Sequence, residues 1–141
     1  MANDLEYEDI QNDDDLVALN MHLRDAMDLA RQLATSDVPP TLRKLAISLG
    51  TALRDTWLFT RFHTLEDVRK KKAVRRGGAK RGILVFIKAV EKDPKYKNVE
   101  FKCIDDYDKC AARRGKKSLL CLLALFICMG RRIIPLVHQV T

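Results

Sequence analysis

Eleven consecutive apolar residues, Leu119 to Met129, constrain this chain more than any other feature. A segment without a polar face must be covered on every side, yet it falls short of the ~20 residues needed to cross roughly 30 Å of hydrocarbon. Extending the window to Val140 would place Arg131 and Arg132 in the bilayer, at about 2.5 to 3.5 kcal/mol each. The run therefore predicts a buried C-terminal helix, and a membrane is not an expected partner. With 141 residues, 47% of them hydrophobic, the chain is long enough to build one core around it.

The covering elements can be read from apolar spacing. Leu16, Leu19, Leu23, Ala26, Met27, Ala30 and Leu33 recur every three or four residues, which predicts an amphipathic helix from Asp13 to about Ala34. Asp13 to Asp15 suit its positive N-terminal end. Pro39-Pro40 predicts the start of a second helix, whose stripe Leu42, Leu45, Ala46, Leu49, Leu53 and Trp57 runs to about Phe62. The short link makes these two an antiparallel hairpin, and Leu49, Leu53 and Trp57 are expected to lie under the C-terminal helix. Thr64-Leu65-Glu66-Asp67 resembles a capping box, predicting a third helix that carries Arg69 to Arg76 as far as Gly77-Gly78.

Two segments read as strands. Ile83 to Val90 is rich in β-branched and aromatic residues, and Val99 to Ile104 alternates apolar and polar positions, with Asp93-Pro94 in the turn between them. Asp105, Asp106 and Asp108 read as turn and cap residues. The expected fold class is α+β, a mostly helical single domain with a short β-hairpin, and all-α is the alternative. Residues 1–14 are expected to form an acidic flexible arm, and residues 15–141 one globular domain.

Charge is strongly polarised. Residues 1 to 15 hold Asp4, Glu6, Glu8, Asp9, Asp13, Asp14 and Asp15 without a basic residue, although the whole chain is formally +7. The segment 69–81, RKKKAVRRGGAKR, has eight basic side chains in thirteen residues and no acid. Such a segment keeps its charged heads in water or against phosphate. An acidic arm and a basic belt can screen one another until a polyanion competes, or they can be two solvated ends; for the arm we expect solvation.

No motif supports catalysis. Gly77, Gly78 and Gly82 lack the lysine-serine ending of a P-loop. Glu100-Phe101-Lys102 after Asp93 matches a nuclease-like acid-x-lysine pattern only as a tripeptide, and a solvated strand face explains it better. Cys103 and Cys110, like Cys121 and Cys128, are seven positions apart, which is too wide for a zinc knuckle. His22, His63 and His138 share no metal spacing. The acidic N-terminus does not read as a secretory signal, so a cytosolic start and reduced core cysteines are expected. No cofactor is implied.

The sequence thus suggests a non-enzymatic binder of RNA or DNA, contacting backbone phosphates through Arg69, Lys70, Lys71, Lys72, Arg75, Arg76, Lys80 and Arg81. Arg113, Arg114, Lys116 and Lys117 form a second patch. RNA is the favoured form, and a regulatory or accessory role, including one in a virus and its host, suits the size and charge. Aromatics are only 6% of the chain, which argues against recognition by base stacking. Arg24, Arg31, Arg43, Lys44, Arg54 and Arg61 are candidates on the helical hairpin. The alternative is a helical protein-protein interaction module in which the basic run serves only as a nuclear-import or acidic-partner signal. Expected localisation is the nucleus and cytoplasm.

Overall fold

The computed structural model describes residues 5–72, 78–115 and 118–138. Six helices occur among them: α1 (Asp13–Thr35), α2 (Pro40–Phe62), α3 (Leu65–Lys70), α4 (Ala79–Lys92), α5 (Val99–Arg114) and α6 (Leu119–His138). Asn12 caps α1, its side chain accepting from the Asp15 N–H at 2.8 Å. α2 opens on Pro40, which lacks an N–H that the first turn could not have used. The Arg43 guanidinium donates to the Ser36 and Val38 carbonyls and so braces the link between the two helices.

α1, α2, α4 and α6 form a closed four-helix arrangement, with α1 on α2, α2 on α4, α4 on α6 and α6 back on α1. Leu119 to Met129 is buried throughout except for the half-buried Ala124 and Cys128. Over Leu119–Val137 the helix is long and apolar enough to cross a membrane, yet 61% of that span is covered within the fold. The apolar run therefore supplies the centre of the core. Phe126 meets Phe86 edge to face at 5.3 Å between ring centres, which links α6 to α4.

The α+β expectation is overturned, because the described residues contain no sheet and the fold is all-α. Ile83 to Val90 lies within α4, where Ile83, Phe86, Ile87 and Val90 are buried while Leu84 and Val85 stay exposed. Those buried positions follow a period of 3.6, so packing overrides strand propensity. Val99 to Ile104 lies within α5, burying Val99 and Cys103 one turn apart. Asp105, Asp106 and Asp108 sit inside that helix, not in a turn. α3 stops at Lys70, because Lys71 is already extended, so the expected helical stretch to Arg76 is not formed through Lys71 and Lys72. Ala73 to Gly77 lie outside the described residues.

Leu49 packs against α4. A Cβ placed on Gly82 would stand 2.9 Å from the Leu49 Cδ1, so glycine is what lets α2 and α4 approach this closely.

The cysteines also differ from expectation, since all four are paired as Cys103–Cys128 and Cys110–Cys121. Seven residues are two helical turns, about 10.5 Å. Equal spacing on α5 and on the antiparallel α6 therefore brings both pairs into register, with Cα separations of 6.0 and 5.6 Å.

Candidate nucleic-acid interface

The segment expected to be a flexible acidic arm is docked over its described part. Residues 1–4 lie outside the described residues. Tyr7 and Ile10 are fully buried, and the Tyr7 ring stacks 6.5 Å from Phe59 of α2. Two apolar anchors in an otherwise acidic stretch fix its path, since leaving them in water would forgo roughly 1.5 to 3 kcal/mol of burial for the larger side chains. Leu5 pairs with Lys72 in an isolated antiparallel bridge, and the Glu6 N–H donates to the Lys71 carbonyl at 3.0 Å.

This docking joins the two basic clusters. Arg69 donates to the Gln11 Oε1 at 3.2 Å, and the Gln11 N–H donates to the Asp15 Oδ2 at 3.0 Å. Arg114 then donates to the Asp15 Oδ1 at 3.1 Å and lies 3.5 Å from the Asp9 carbonyl. A continuous polar chain thus runs from the end of α3 to the end of α5. The Gln11 N–H, and then Arg114, hold the Asp15 carboxyl below its usual range. Asp9 accepts from the Ser118 hydroxyl, which in turn accepts from the Cys121 N–H at 3.3 Å at the start of α6. Glu8, Asp9, Asp15, Arg113 and Arg114 help line a cleft of about 740 Å³ at this junction.

The sequence-derived contacts are dispersed around the junction. Lys70 is exposed and pairs with Glu66 at 2.8 Å, and the Lys71 ammonium lies 4.0 Å from the centre of the Phe59 ring. Lys72, Arg81 and Arg113 are exposed, and Lys80 is half-buried. Arg75, Arg76, Lys116 and Lys117 lie outside the described residues. On the hairpin, Arg24, Lys44 and Arg54 are exposed, Arg31 pairs with Asp28 at 2.7 Å, and Arg61 stacks over Trp57 at 4.7 Å. Arg43 is engaged in the α1–α2 link.

Sequence reasoning missed Glu6, Asp9, Gln11 and Asp15 as partners of the basic clusters. The available signal was Tyr7 and Ile10, which give the acidic stretch something to bury.

Compared with protein-family models, with curated proteins and with solved structures, the chain matches none of them.

Proposed function

We propose that this protein binds nucleic acid without catalysis, contacting backbone phosphates through Arg69 to Lys72, Lys80, Arg81, Arg113 and Arg114. The observation that carries this reading is the polar chain Arg69–Gln11–Asp15–Arg114, which unites clusters far apart in sequence at one end of the helical core. A surface with two clusters suits a duplex or a structured RNA better than a point contact does. Neutralised phosphates release counterions, so affinity should fall steeply with salt. For a labelled 20-base-pair RNA duplex, simultaneous engagement of about five of these eight side chains gives a slope of log K against log salt near −4 to −5. A slope near zero would exclude the reading.

The two disulfides suit an oxidising compartment, whereas a role for 69–81 with an import receptor requires a nuclear and cytoplasmic protein whose cysteines are reduced. Alkylation of free thiols in intact cells checks this point, because a protein working in the cytosol would be labelled on cysteine.

A second reading rests on the outer groove between α1 and α2, lined by Met27, Ile47 and Trp57 with Arg24 and Arg54 at its rim. Ile47 is 55% exposed there. An amphipathic helix of a partner protein fits it, and binding through the apolar lining would respond little to salt.

A further inference from the structure

α4 begins under unusual electrostatic conditions. Its first N–H groups have no partner within the helix, Gly78 offers no capping side chain, and the first turn has no acid. Lys80 and Arg81 instead place two cations at the positive end of the helix dipole. An anion is what this terminus lacks.

The chain supplies one of its own. Glu6 is only 4% exposed, and its Oε1 lies 3.0 Å from where a Cβ on residue 78 would stand, an approach to the backbone that glycine permits. The Glu6 Oε2 is buried and has no hydrogen-bond partner among the described residues. Burial pushes the Glu6 carboxyl above its ordinary range, while the charges of Lys71 and Lys80 pull it back. The Glu6 carboxyl group therefore sits beside a helix N-terminus, within the electrostatic reach of Lys71 and Lys80, with one oxygen lacking a hydrogen-bond partner among the described residues. A phosphate group has more acceptor oxygens and suits the same donors and cations.

We propose that the N-terminus of α4, together with Lys71 and Lys80, is a phosphate seat occupied by this chain's own Glu6, so that a nucleic-acid phosphate and the N-terminal segment compete for it. The seat follows from the geometry of Glu6 and Gly78; the identity of the competing phosphate rests on the nucleic-acid reading above. Binding there exchanges one anion for another, with Leu5 and Glu6 leaving Lys72 and Lys71.

The test uses the full chain with inorganic phosphate as probe, replacing chloride at constant ionic strength, and thermal unfolding as readout. Glu6→Gln vacates the charge in the seat, while Glu8→Gln removes an exposed charge from the same segment and controls for net charge. Phosphate should raise the melting temperature of Glu6→Gln, but not that of Glu8→Gln or of Glu6→Gln combined with Lys80→Gln. Equal responses of Glu6→Gln and Glu8→Gln, or no response in Glu6→Gln, overturn the seat. The 20-base-pair RNA duplex should bind Glu6→Gln about fivefold more tightly than the wild type. Phosphate stabilisation of Glu6→Gln without any RNA binding would keep the seat and reject the nucleic-acid reading. Should Glu6→Gln not fold, hydrogen exchange at the Glu6 amide of the wild type takes its place: phosphate should accelerate it relative to chloride, and unchanged exchange overturns the proposal.

Discussion

Arg114 and Asp15, ninety-nine positions apart, form an ion pair at 3.1 Å that ties the end of α5 to the start of α1. Both side chains are largely shielded, at 30% and 13% exposure, so the pair is screened less than the exposed contacts Arg31–Asp28 and Lys70–Glu66. It also orients Asp15 to receive the Gln11 N–H, on which the connection to Arg69 depends.

Replacing Asp15 by Asn should lower stability at neutral pH by about 1 to 2 kcal/mol, between the values typical of exposed and of buried pairs. The Asp15 carboxyl is depressed in the folded state, so its contribution is present above the unfolded pKa and lost as pH falls through the folded one. Urea unfolding from pH 7 down to pH 2 should show the wild type losing this increment in acid. Asp15→Asn should lack that part of the acid limb.

Lys72 and Arg81 are exposed, and alanine at either position should change stability by less than about 0.5 kcal/mol. Each should reduce the salt slope of duplex binding by about one unit. Lys71 differs, because its ammonium lies over Phe59. Lys71→Ala should also destabilise by about 0.5 to 1 kcal/mol, and thermal unfolding of the three variants in parallel separates the effects.

α5 fully buries only Val99 and Cys103, so the two bridges to α6 carry much of its attachment to the core. Opening both by Cys103→Ser and Cys110→Ser should cost several kcal/mol, since one disulfide contributes about 2 to 4. Hydrogen exchange should then rise across 99–114 first, while α1 and α2 retain protection. Uniform loss of protection over the whole chain would show that α5 is integral to the core.

Glu100 of α5 faces Glu91 of α4. Burial, and then hydrogen bonding and repulsion from Glu91, push its carboxyl up to about 7. A raised acid stabilises the folded state while protonated, so stability should fall as pH rises from the unfolded value near 4.5 through about 7. Glu100→Gln should remove that decline and be more stable than the wild type at pH 8. Thermal unfolding between pH 5 and pH 8 measures both.

Much of the helical framework was legible from residue spacing. The stripes of α1 and α2 and the apolar run of α6 were sufficient, because helices of that length with one or all faces apolar have few other ways to leave water. α4 was harder to read. Ile83, Phe86, Ile87 and Val90 carried the helical period, but the β-branched composition of the same eight residues pointed to a strand, and short apolar runs do not resolve that conflict locally. The basic clusters were visible as composition, whereas their union was not, because the residues joining them are acids and a glutamine near the other end of the chain.

By itself the sequence determined which surfaces had to be buried and where charge had to remain in water, since both follow from the side chains and their helical phase. Tertiary structure alone decided what met across those surfaces. The seven-residue spacing within each cysteine pair is a local fact, but it becomes a double bridge only because α5 and α6 run antiparallel in matching register. Glu6 is likewise an ordinary acid in sequence. It reaches the start of α4 only because Tyr7 and Ile10 gain more from burial in the core than the N-terminal segment loses in conformational freedom, a balance set by non-local packing.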